Sequence, residues 1–315
     1  MTKIALVGSG LIGRAWAISF ARAGFRVALW DREPAAPEAA LGFVSEILKD
    51  LAAHDLLNGA TPAEVLARIA PETDLGAALA DAAHVQESTP EDLSVKRRVF
   101  AELDEAAPAA AVIASSSSAL LPSRFTEALK GRARCLVVHP INPPYLIPAA
   151  EVVPAPWTSA EAVERTRALL VEAGHAPIVM QRELDGFVMN RLQGALLEEA
   201  FRLVDEGYAS VEDVDIGIRD GLALRWSFIG PFETIDLNAP GGVADYVARY
   251  QGIYSNIFEQ TRHRADWAGP VLERVLAQRR GRLPERELAA RQLWRDRRLI
   301  ALAAHKKQSD REFGK

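Results

Sequence analysis

Short apolar runs, each followed by a longer segment with helical spacing, recur up to about residue 182. That alternation is the signature of a largely parallel sheet covered by helices. It predicts strands at 3–7, 26–30, 84–86, 112–115, 135–139, 150–153 and 177–181. The stretch 38–70 is longer than one crossover needs and rich in Ala, Leu, Glu and Lys. An extended helix or helical hairpin projecting from the sheet is expected there. Beyond Glu183 the strand signals stop, and the spacing of Phe187, Leu192, Leu196, Leu197, Ala200, Leu203 and Val204 suits an amphipathic helix ending at Gly207. Ser210 and the Gly230-Pro231 step read as further helix starts. The polar stretch from Lys306 onward is expected to fray. The division that follows is an α/β domain over residues 1–184 and an all-α domain over 185–315.

The first strand runs into Gly8-Ser9-Gly10-Leu11-Ile12-Gly13, and the second ends at Asp31. Gly8 allows the tight turn, Gly10 lets the backbone approach a pyrophosphate, and Gly13 lets the helix lie close to the sheet. The helix opening at Leu11 and Ile12 aims its free N–H groups at the phosphates, and Asp31 can accept from ribose hydroxyls. Arg32 is able to accommodate a 2′-phosphate that Asp31 would repel, and the acid favours NAD over NADP.

Composition narrows the class. A chain of 315 residues with 49% apolar content can build two cores. Its 37 basic and 42 acidic residues leave a net charge of −5 and are interspersed, so neither a nucleic-acid footprint nor a polybasic membrane anchor is expected. No run reaches the ~18 apolar residues of a membrane span and no leader pattern precedes the first strand, which predicts a cytoplasmic protein. The single cysteine, Cys135, lies in an apolar run and reads as a buried strand residue. No metal site is expected.

Four polar features stand where open α/β sheets bind ligands, at or after strand ends or at a helix entry. Ser115-Ser116-Ser117-Ser118 follows one apolar strand, and His139 leaves the next through a rigid turn, Pro140-Ile141-Asn142-Pro143-Pro144. Glu151 sits inside an apolar strand, where an unpaired acid is costly. If that strand turns back beside His139, its carboxylate accepts from one imidazole nitrogen and leaves the other as a base. Asn190, in Gly186-Phe187-Val188-Met189-Asn190-Arg191, offers an amide that can bond a substrate oxygen across a domain cleft.

Taken together, Ser118, His139, Glu151 and Asn190 resemble the Ser–His–Glu–Asn set of the L-3-hydroxyacyl-CoA dehydrogenase superfamily. The likeness extends to the glycine turn, to Pro90-Glu91-Asp92-Leu93 with Lys96, and to Gly186–Leu192. Within it the chain is most similar to the λ-crystallin and L-gulonate 3-dehydrogenase branch. Gly13-Arg14-Ala15-Trp16, His139–Tyr145 and Phe228-Ile229-Gly230-Pro231-Phe232-Glu233-Thr234 mark that branch.

The resemblance implies a Rossmann-type doubly wound sheet followed by a helical domain that lines the substrate cleft and makes a homodimer contact. It also implies NAD-dependent oxidation of a secondary alcohol, with Glu91 and Lys96 near the cofactor's ribose and nicotinamide. The interval to His139 favours Ser118 among the four serines. Where the acyl-CoA enzymes carry Ser-Asn-Thr-Ser-Ser, this chain has Ser115-Ser116-Ser117-Ser118-Ala119, which weakens an acyl-CoA assignment.

Arg225, or Arg191, is expected to meet a substrate carboxylate. The substrate would then be a small free L-3-hydroxy acid such as L-gulonate. Alternatives are a 3-hydroxyacyl-CoA, carnitine or a hydroxymethyl-pyridine acid. A crystallin-like structural role fits poorly with an intact polar set.

Overall fold

The computed structural model describes residues 1–261 and 264–314. Eight strands form one sheet: β1 Lys3–Val7, β2 Arg26–Trp30, β3 Ile69–Glu72, β4 Ala82–Glu87, β5 Val112–Ser115, β6 Cys135–Pro140, β7 Ala149–Pro154 and β8 Ala176–Val179. Their order is β3-β2-β1-β4-β5-β6-β7-β8, parallel except where β7 runs antiparallel to β6. The order reverses direction beside β1, the switch point where such sheets bind ligands.

Helices α1 Leu11–Arg22, α2 Ala36–Ala52, α3 Pro62–Leu66, α4 Leu75–Leu79, α5 Leu93–Ala106, α6 Ser123–Thr126 and α7 Ala160–Glu172 cover the sheet. Two apolar clusters fill the layers on its two sides. One, with Trp16, Phe20 and Leu48, lies under α1 and α2; the other, with Phe100 and Leu103, lies under α5.

The stretch expected to be wholly helical is not. It folds as α2 and the short α3, and Ile69–Glu72 then becomes β3, extending the sheet beyond β2. A four-residue strand containing Pro71 has little periodicity of its own, and its pairing with β2 decides its state.

The chain divides into two compact units, one of Met1–Val188 together with the segment from Arg291 onward, the other of Met189–Ala290. The second unit contains α8 Met189–Asp205, α9 Val211–Ile216, α10 Ala223–Trp226, α11 Pro231–Leu237, α12 Gly242–Gln260 and α13 Pro270–Arg282, with a π-helical stretch at Gly217–Leu222. Ser210 and Asp213 form a reciprocal cap at the start of α9, and Pro231 opens α11.

These compact units divide the chain differently from the expected domains 1–184 and 185–315. Phe187 precedes α8, has φ +50°, and is fully buried in the apolar cluster under α5. The last helix, α14 Leu288–Phe313, returns to the first unit from Arg291 onward, burying Ile300 in the cluster under α1 and α2. The expected fraying from Lys306 is not seen among the described residues: α14 continues to Phe313, and Lys307 Nζ reaches the Asp55 carboxylate at 2.8 Å. Among the described residues no helix is long and apolar enough to cross a membrane.

Two imidazoles are buried in the first unit, His84 bonded within its own strand β4 and His175 bonded to α1. His84 hydrogen-bonds Gln86 at 3.1 Å, and His175 bonds Ser19 at 2.7 Å and the Pro148 carbonyl at 3.0 Å. Burial pushes both down to about 4 from an ordinary 6.5. Between those values the unfolded chain takes up a proton that the folded one refuses, so stability falls as pH drops below 6.5. Urea midpoints are expected to reveal a loss of about 2 kcal/mol per imidazole by pH 5. His84→Gln should flatten that slope; an equally steep one would contradict the assignment.

Candidate active site

The glycine turn is built by close contacts. Gly8 has φ +102°, and a Cβ on it would lie 2.8 Å from the Ser88 carbonyl oxygen. A Cβ on Gly13 would lie 1.7 Å from the Gly8 oxygen, so no other residue lets α1 sit this close to the turn. At Gly10 a Cβ would meet nothing within 4 Å. That open space adjoins the first turn of α1, which no side chain caps, so its N–H groups are left for an anion. Leu11 is exposed and Ile12 partly buried at that turn.

Asp31 closes the other side. Its Oδ2 accepts from the Ser9 N–H at 2.7 Å and the Ser9 hydroxyl at 3.0 Å, and Oδ1 accepts from the Glu33 N–H at 3.1 Å. Asp31 thus ties the end of β2 to the glycine turn while keeping acceptor capacity for a ribose. A cleft of about 570 Å³ runs from Gly8 and Gly10 past Trp30, Asp31 and Arg32 to α5. Uncapped N–H groups, an open glycine and a fixed acid on one cleft fit a dinucleotide.

Beyond the cleft, Glu87 at the end of β4 is a residue that sequence reading missed. It is fully buried and faces Lys96 Nζ at 2.8 and 3.0 Å, and it accepts from the Ser115 hydroxyl at 2.7 Å. Lys96 spends its remaining hydrogen on the Thr89 carbonyl at 3.0 Å. All three ammonium hydrogens are occupied, so Lys96 acts here as the partner of a buried acid. An acidic residue ending an apolar strand was the available signal.

Glu91 gathers the serine run. Its Oε1 accepts from the Ser117 hydroxyl and from the N–H groups of Ser118, Ala119 and Leu120. Burial raises its pKa, but those bonds and the Lys96 charge outweigh burial and hold the carboxyl below its usual range. Ser116 accepts from Trp16 Nε1 at 3.1 Å and Gln86 Nε2 at 2.7 Å. Three serines are thereby tied into the fold, and Ser118 is the exposed member of the run.

On the antiparallel pair β6–β7, His139 stands opposite Glu151, and its Nδ1 lies 2.6 Å from Glu151 Oε2. Glu151 is fully buried and its Oε1 accepts from the Val188 N–H at 2.6 Å. The Phe187 ring packs 5.6 Å from the imidazole. A carboxylate only accepts, so the bond is made with the hydrogen on Nδ1, and in the neutral imidazole that tautomer leaves Nε2 as the acceptor. Cys135, at the start of β6, is buried and its thiol is pushed up to about 12 by desolvation, which makes it inert.

In the second unit, Asn190 and Arg191 occupy the first turn of α8, and Arg225 is exposed on α10.

Family models match both parts of the chain: "3-hydroxyacyl-CoA dehydrogenase, NAD binding domain" over residues 3–184 and "3-hydroxyacyl-CoA dehydrogenase, C-terminal domain" over 186–284. The chain belongs to the 3-hydroxyacyl-CoA dehydrogenase family. Lambda-crystallin of Oryctolagus cuniculus is 42% identical over 308 residues, covering 97% of this chain and 96% of the relative, which sets the chain in the λ-crystallin branch. L-Carnitine dehydrogenase of Nocardiopsis dassonvillei is 36% identical, covering 95% and 90%. Among solved structures, 5-formyl-3-hydroxy-2-methylpyridine 4-carboxylic acid 5-dehydrogenase, an NAD+-dependent dismutase, matches with a TM-score of 0.82 and 28% identity over 96% and 97% of the two chains. This family member is an NAD-dependent oxidoreductase acting on CH–OH groups, and the glycine turn and Asp31 are the residues that fit its NAD.

Proposed function

We propose that the protein oxidises the 3-hydroxyl of a small free L-3-hydroxy acid, of which L-gulonate is the model, to the 3-keto acid. The observation that carries the mechanism is the 2.6 Å bond between His139 Nδ1 and buried Glu151. A secondary alcohol is a poor donor until its proton leaves, and an imidazole with its second nitrogen free to accept is the group that removes it. Bound NAD supplies the hydride acceptor. Glu151 fixes the tautomer of His139 and offsets the positive charge that proton uptake creates. Ser118 and Asn190 are proposed as hydrogen-bond partners of the reacting oxygen from their motif positions.

Two observations favour a free acid over a thioester. The stretch 38–70 offers Lys49 and Arg68 as docking cations for CoA phosphates, and Arg68 is engaged with the Ala21 carbonyl at 2.9 Å. Relatives include proteins named for L-carnitine and for a pyridine carboxylic acid. The rival reading has support of its own, since a Gibberella moniliformis protein named 3-hydroxyacyl-CoA dehydrogenase is 36% identical over 273 residues.

NADH formation over a panel of free 3-hydroxy acids and 3-hydroxyacyl-CoAs separates them. We expect turnover of the free acids, and Arg225→Met to raise their KM about tenfold or more with kcat little changed. Preference for the thioesters would overturn the substrate class, and an unchanged KM would remove Arg225. We also propose a homodimer. The second unit exposes Tyr208 by 72% and Phe258 by 64%, apolar surface of the kind that a second copy would cover. Sedimentation should give twice the chain mass; a monomer at micromolar concentration would refute it.

A further inference from the structure

The mouth of the nucleotide cleft carries a charge arrangement that the binding turn does not require. Arg32, immediately after Asp31, extends its Nη2 to within 3.5 Å of Glu102 Oε2 on α5. Both line the cleft, as does Arg98, one helical turn before Glu102 on the same face of α5. The lining therefore sets Asp31 and Glu102 against Arg32 and Arg98.

As a stabilising ion pair this contact counts for little, because both side chains are well exposed, by 63% and 42%. Its effect is on what the mouth attracts. A 2′-phosphate brings a charge of about −1.5 to −2 to the ribose end of the cofactor. Asp31 cannot turn away to admit it without breaking its bonds to Ser9 and Glu33. Arg32 is the residue placed to receive such a phosphate, and Glu102 occupies it while adding a negative charge of its own.

We propose that Glu102 is a cofactor-specificity residue. By engaging Arg32 and balancing the charge of the cleft mouth, it works with Asp31 to select NAD against NADP.

The test is direct binding, by fluorescence titration of NADH and NADPH into the wild-type protein, Glu102→Gln, Arg32→Met and the double variant. Glu102→Gln is expected to tighten NADPH about three- to tenfold while NADH stays within about twofold, the scale of an exposed charge contact. That gain should shrink markedly in the double variant, where only the removal of the Glu102 charge is left, and should shrink at high salt. An unchanged NADPH-to-NADH ratio in Glu102→Gln would overturn the proposal. So would a gain of the same size without Arg32, since the phosphate would then be meeting some other group.

Discussion

Replacing His139 with Gln is expected to lower kcat by about 10²–10⁴-fold while NADH binds as before, because a positioned acid–base group is worth that much. The reasoning rests on the pairing across β6 and β7. His139 is held through Nδ1 by a carboxylate with no exposed surface, and that carboxylate is held in turn by the Val188 N–H. Gln at 139 fills similar space and can still donate to Glu151, so the fold is kept while the basic nitrogen is lost. Glu151→Gln should fall in the same direction, since an amide can present the wrong hydrogen-bonding group to Nδ1 and cannot offset imidazolium charge. A kcat for His139→Gln within threefold of wild type would end the proposed mechanism, and weakened NADH binding would point to damage to the fold instead.

The glycine turn yields the second large effect, and two substitutions should fail differently. Gly13→Ala puts a Cβ 1.7 Å from the Gly8 oxygen, a backbone atom that cannot yield without moving α1 away from the sheet. Overpacking of this kind costs roughly 1–3 kcal/mol, more where backbone must shift, and the variant should melt lower even without cofactor. Gly10→Ala meets nothing in the protein, so its melting temperature should match wild type. Its methyl group enters the space a pyrophosphate needs, and NADH affinity should fall about 100-fold. Equal NADH affinities for Gly10→Ala and wild type would show that the dinucleotide does not pass over this turn.

Much of this molecule was legible before any coordinates. The strand–glycine turn–helix at the amino terminus, Asp31 at the end of β2 and the Ser210 and Pro231 helix starts depend on neighbours within a few residues. Their physics is therefore written locally. The reading of His139 with Glu151 also followed from chemistry, since an acid in an apolar strand requires a partner. Other features were illegible for a common reason. The bonds of Lys96 to Glu87 and Thr89, and the hold of Glu91 Oε1 on the serine run, accompany the cofactor roles that the motif implies for both residues. Nothing in the spacing of those residues encodes which acceptors surround them.

What the sequence by itself determined is the kind of protein: a dinucleotide-binding α/β unit with a helical addition and a polar set suited to oxidising an alcohol. Hydrophobic period, glycine spacing and capping residues are properties of short windows and carry the fold class and the nucleotide turn, whereas the alcohol chemistry rested on the resemblance of Ser118, His139, Glu151 and Asn190 to a known set. The tertiary structure decided the register that sets His139 opposite Glu151, the addition of β3, the return of α14 to the first unit and the meeting of Arg32 with Glu102. Each is a contact between segments far apart in the chain, selected by the burial and pairing of the whole.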